Sequence, residues 1–152
     1  MVIVLDELPE TVLIFATTNL FDHMDPALIR RFDMTVDFNR YSQSDLKEIA
    51  GKLLDFYLKK YECTGRKTSF FQKILDVRPL PMPSEIKNRI RLATAFSKPG
   101  ESLDYMPGLY KAFVGEIPTD IRQLKADGFT VREIEVLTGI SKSQVARELK
   151  ES

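Results

Sequence analysis

The run Val12-Leu-Ile-Phe-Ala16, closed by Thr17, Thr18 and Asn19, constrains the fold more than any other stretch of this chain. An unbroken apolar run bounded by polar residues suits a strand of a parallel sheet covered on both faces. Parallel neighbours need a crossover of about a dozen residues or more. The other early apolar run, Val2-Ile-Val-Leu5, is followed by Asp6 and Glu7 and then only by Leu8-Pro9-Glu10-Thr11. These two runs are therefore not adjacent parallel strands, and Asp6 with Glu7 is not placed to bind magnesium beside the second. A short strand is expected at Met34 to Phe38, and everything beyond it has helical spacing. The expected fold class is mainly α with a small α/β N-terminal part.

The C-terminal edge of a parallel sheet is where ligands bind, and Asn19 falls at that edge. Asp25 followed by Pro26 has the form of an N-cap with proline in the first helical turn. The short helix they start delivers Arg30 and Arg31, which point about 100° apart if helical. The same residues suit a plain strand, turn and surface helix with solvated arginines. Taken together, Val12-Leu-Ile-Phe-Ala-Thr-Thr-Asn19 and Asp25-Pro-Ala-Leu-Ile-Arg-Arg-Phe-Asp33 resemble the second half of a bacterial-type AAA+ ATPase module, with a close match over Val12 to Phe38. The resemblance implies that Asn19 is the sensor-1 residue, which reads the γ-phosphate and the attacking water. It also implies that Arg31, with Arg30 beside it, is an arginine finger reaching a neighbouring subunit's phosphates. Positioned positive charge is the main catalyst of phosphoryl transfer. In the family, the residues just before the sensor-1 strand end a helix, which is the expected place of Asp6 and Glu7.

A phosphate loop of the form G-x-x-x-x-G-K-[ST] is missing from the sequence, and Gly51-Lys52 sits in a helical pattern without the partner glycine. The expectation is that the chain covers the C-terminal portion of the ATPase. ATP and magnesium are then expected only in the assembled enzyme, with none bound by this chain alone. The expected partners are an AAA+ core segment or neighbouring subunits. Residues 1–40 are assigned to the core fragment.

Residues 41–115 are assigned to a helical lid. Leu46, Ile49, Ala50, Leu53, Tyr57 and Tyr61 recur at helical spacing behind the start signals Ser42 and Asp45. A second helix is expected over Ser69 to Asp76, and Pro79, Pro81 and Pro83 mark a stiff loop. Pro83-Ser84-Glu85 opens a third helix carrying Ile86, Ile90 and Ala93. This order resembles the AAA+ lid, whose sensor-2 helix would begin at Ser84, Ile86 and Lys87 as nucleotide-binding residues. Pro83 and Ser84 depart from the family motif there. Lys87, Asn88, Arg89 and Arg91 are placed to reach phosphate or to form a solvated face. Pro99-Gly100 and Pro107-Gly108 are expected to punctuate a connector before a last turn or two at Leu109 to Val114.

Residues 116–152 are assigned to a helix-turn-helix. Helices are expected at Ile121 to Ala126, Val131 to Thr138 and from Ser141 through Lys150, with Thr130 and Glu133 as a capping box and Gly139 at the turn. The stretch Val131-Arg-Glu-Ile-Glu-Val-Leu-Thr-Gly-Ile-Ser-Lys-Ser-Gln-Val145 resembles the resolvase and transposase type. That implies Lys142, Ser143, Gln144 and Arg147 facing duplex DNA, with Arg132 and Ser141 near phosphates. Glu135 departs from the family's small residue. Residues 119–152 carry 6 basic and 6 acidic side chains, whereas DNA-binding modules are plainly basic, so DNA contact, protein docking and plain packing all stay open.

The whole chain has 22 basic and 22 acidic residues, which asks for no polyanionic partner. Cys63 is the only cysteine and His23 the only histidine, so neither a disulfide framework nor a metal cluster is expected, and a reducing, cytoplasmic setting fits. No membrane partner is expected, since no apolar run nears the ~20 residues of a span. Two functional classes remain: part of an AAA+ ATPase targeted by its helix-turn-helix, or a non-catalytic DNA- or protein-binding module.

Overall fold

A computed structural model describes Pro9, residues 11–38 and residues 40–150. Asp6, Glu7 and the Val2 to Leu5 run lie outside the described residues. The chain divides into two compact units, one ending at Phe38 and the other beginning at Asn39.

In the first unit a 3-10 turn at Phe21–His23 precedes the short helix α1, Pro26–Ile29. The strands expected at Val12 to Asn19 and Met34 to Phe38 are not formed. Both segments run without regular structure, and the one β-bridge among the described residues is the isolated Thr64–Ser102 pair. The reason is physical. A strand exists through its ladder to a neighbour, and the described residues supply no neighbour. The apolar side chains consequently lie open, with Leu13 78% and Phe15 84% exposed.

Apart from that bridge, the regular structure described in the second unit is helical. Helix α2 spans Gln43–Lys60, α3 Thr68–Asp76, α4 Pro83–Ala95, α5 Tyr105–Phe113, α6 Ile121–Ala126, α7 Val131–Thr138 and α8 Lys142–Glu148. Ser42 and Asp45 close the capping box of α2, and Leu46, Ala50, Leu54, Tyr57 and Leu58 turn one stripe of that helix into the core. Helix α4 lies against both α2 and α5, burying Ile86 and Ile90.

Helix α5 corrects the sequence expectation of a punctuated connector. Pro107 falls in its first turn, where a backbone N–H has no helical partner to lose. Gly108 lets α4 approach: a Cβ there would lie 3.3 Å from the Cβ of Ala93. Tyr105, fully buried at the start of α5, donates its hydroxyl to the Gly65 carbonyl at 2.6 Å. Burial pushes that hydroxyl up to about 12, Arg66 offsetting part of the effect, so it remains a neutral donor.

One hydrophobic core runs from Leu46 to Val145, so 41–115 and 116–150 pack together. Phe129, in the turn between α6 and α7, meets Phe70 of α3 and Tyr110 of α5 edge-on, each at 5.9 Å between ring centroids.

Candidate functional site

In the first unit, the Asp25 carboxylate accepts from the Ala27 amide at 2.8 Å and Pro26 occupies the first turn of α1. This cap fixes where the helix starts, and therefore where it ends. The Arg30 amide donates to the Pro26 carbonyl at 3.1 Å and the Arg31 amide to the Leu28 carbonyl at 3.1 Å. Arg30, Arg31 and Asn19 are all exposed. His23 is exposed in the turn before α1. The residues expected to act in this unit are thus two guanidiniums at the end of a capped turn and a side-chain amide, and no enclosed pocket is seen around them among the described residues. Such a set can bind and stabilise negative charge brought to it.

At the start of α4 the three residues expected to touch nucleotide part company. Ile86 is fully buried, so its side chain packs the core, while Ser84 and Lys87 stay at the surface. Arg89 pairs with Glu85 and lies over the Phe113 ring at 5.6 Å, which ties it to its own helix layer. Lys87, Asn88 and Arg91 face outward. A groove of about 570 Å³ runs between α4 and α5, bordered by Leu92, Phe96, Asp104 and Lys111 and floored by Ala93 and Gly108. Neither Ser84 nor Lys87 lines it. Sequence reasoning missed Leu92 and Phe96, which stand 50% and 84% exposed. Their i, i+4 spacing off the Ile86/Ile90 stripe is the signal that could have found them.

The C-terminal helices hold the remaining polar set. Thr130 and Glu133 close a capping box: the Thr130 amide donates to Glu133 Oε2 at 2.8 Å and the Glu133 amide to Thr130 Oγ1 at 3.3 Å. Lys73 Nζ of α3 donates to the same Oε2 at 2.7 Å, and the Glu133 side chain is only 4% exposed. Burial alone would raise the Glu133 carboxyl. The Lys73 ammonium and the Thr130 donors outweigh it and hold the group below its ordinary value.

Gly139 ends α7 in the left-handed region at φ 74° and donates to the Glu135 carbonyl at 2.8 Å, a backbone position that favours glycine. Three residues, Gly139 to Ser141, separate the helices. Ser141 caps α8 by accepting from the Gln144 amide at 3.4 Å. Lys142, Ser143, Gln144 and Arg147 are exposed, while Val145 is fully buried beneath them. Helix α8 ends at Glu148 rather than Lys150.

Glu135 has a defined task here. Its Oε1 accepts from the Lys142 amide at 2.8 Å, so a carboxylate from α7 covers the first turn of α8. Gln144 Nε2 in turn donates to Glu148 Oε1 at 3.0 Å. The outer face of α8 is therefore mixed in charge, with an acid where an approaching phosphate would meet backbone N–H groups.

Among the described residues no group of three or more His, Cys, Asp or Glu side chains could hold a metal ion, and no helix is long and apolar enough to cross a membrane. Comparison with family models, with curated proteins and with solved structures gives no match to this chain.

Proposed function

We propose that this chain contributes the sensor-1 and arginine-finger residues of an AAA+ ATPase, acting on ATP and magnesium held by a phosphate loop that another segment or subunit supplies. The observation that carries this reading is the Asp25-capped, Pro26-started turn that ends in exposed Arg30 and Arg31. It follows, beyond the Phe21–His23 turn, an apolar segment, Val12 to Phe15, that is exposed and has the make-up of a two-sided buried strand. An ATPase core sheet would cover that segment and set Asn19 at its ligand-binding edge. Helices α2 to α5 serve as the lid, and α6 to α8 as a helix-turn-helix that targets the assembly.

The test has two parts. Calorimetry of the chain alone with ATP and magnesium should give no micromolar binding and no turnover; tight binding with turnover overturns the reading. In the assembled ATPase, Arg31→Ala should lower turnover by about a thousandfold or more with nucleotide affinity nearly unchanged. Full activity of Arg31→Ala removes the finger.

A second reading, a binding module without a catalytic role, is supported by the exposed Lys142, Gln144 and Arg147 face resting on buried Val145. The acid at the first turn of α8 and the even charge balance favour a protein partner over duplex DNA at that face. Fluorescence anisotropy with duplex DNA at low salt separates the two partners: tight, steeply salt-dependent binding overturns the preference for protein.

A further inference from the structure

We infer that α6 to α8 form a single cooperative body with α2 to α5, without a hinge between them, so that any motion of the lid carries the exposed face of α8 with it. The second half of this statement rests on the lid reading above; the first half rests on packing. A tethered targeting module is joined by an exposed, Gly-, Pro- or Ser-rich linker across which few contacts run. Here the connector is partly packed: Val114 is buried and Gly115, Ile117 and Pro118 are half-buried, while Glu116, Thr119 and Asp120 are exposed.

Two further ties cross the same boundary. Phe129 is fully buried, with Phe70 and Tyr110 on either side of it, so the turn between α6 and α7 cannot leave α3 and α5 without exposing three aromatic rings. Glu133 is the second tie. Its carboxylate completes the cap of α7 and also accepts from Lys73 of α3 at 2.7 Å. Swinging α7 away would break this charge-assisted bond and return both groups to water. The helix whose cap residue Glu133 also bonds α3 is the helix whose Glu135 covers the start of α8. Orientation is thus passed from α3 through α7 to α8 by direct contacts.

Amide hydrogen exchange of the full chain, without nucleotide, tests this. In the wild type, the slowest amides of α4, α5 and α7 should exchange through one opening with a common denaturant slope. Lys73→Met should raise exchange in all three helices by the same factor, about tenfold or more. The inference is overturned if α6 to α8 exchange through a separate opening with a shallower slope, or if Lys73→Met accelerates only those helices. The wild-type measurement stands if the variant fails to fold. Since nucleotide is absent, a split result removes the shared body and leaves the ATPase reading intact, and a failed ATPase reading leaves a shared opening intact.

Discussion

Two stretches of this chain are rich in large apolar side chains, and they meet opposite fates. Residues 12–38 expose Leu13, Phe15, Met34 and Phe38, each more than 70%, whereas in the second unit Leu54, Phe70, Phe71, Ile90 and Leu109 are fully buried. The difference lies in where the backbone finds its hydrogen bonds. Helices α2 to α8 satisfy their own N–H and C=O groups and need a partner only for one stripe of side chains. A strand needs a partner for its backbone and for both faces. Hydrophobic content is therefore no guide to local order unless the element it builds can be completed.

The contrast breaks most visibly under charge. Val145→Asp should destabilise the second unit by about 3 kcal/mol or more, because it buries an unpaired carboxylate. Phe15→Asp should shift denaturant-measured stability by less than about 0.5 kcal/mol. Equal effects in urea titrations would mean that the exposed run has a structural role within this chain.

A smaller loss is expected from the tie between α3 and α7. Lys73→Met should cost roughly 1.5–3 kcal/mol in urea unfolding, the value of a hydrogen bond to a charged group. Glu133 adds a pH dependence. Its folded value is held low, so its contribution is complete above the ordinary glutamate range and is lost as pH falls through the folded value. The wild type should therefore lose stability below about pH 4 more steeply than Glu133→Gln, and superimposable pH profiles would refute the pairing.

Glu135→Gln should weaken α8 by about 1 kcal/mol or less, in the range of lost caps, while duplex DNA affinity at low salt rises several-fold as an acid leaves the face. An unchanged affinity would show that this acid does not oppose DNA contact at α8. The smallest effect belongs to Lys142→Ala, Gln144→Ala and Arg147→Ala combined. Their melting temperature should stay within a few degrees of the wild type, since Val145 and not this polar set holds the helix. Any DNA binding present in the wild type should vanish from anisotropy.

What could be read from sequence was local. Ser42 with Asp45, Thr130 with Glu133, Asp25 with Pro26, and Gly139 each announce a helix end through groups only a few residues apart, and each forms as the spacing predicts. Glu135 stood out as a departure, but its bond to the Lys142 amide depends on how α7 and α8 meet. Lys73 and Glu133 are 60 residues apart, and nothing near either one announces the other. Pro107-Gly108 misled for the opposite reason: a breaker signal turned out to be a first-turn proline and a close helix contact. The strand at Val12 failed because local pattern describes what a segment is suited to, and the sheet that would complete it is not among the described residues.

Gly65 carries a consequence for sequence variation. Its backbone lies at φ 77°, and a Cβ there would collide with Ser102 Oγ while standing 3.2 Å from the Leu103 amide nitrogen. The conformation and the space both refuse a side chain, and its carbonyl is the acceptor for buried Tyr105. In a library that randomises the loop from Cys63 to Thr68 and selects for folded protein, position 65 should return glycine almost alone. Exposed Lys67, two residues further on, meets no such demand and should drift freely, whereas Arg66 beside it pairs with Asp55, so one short loop would hold letters of very unequal constraint.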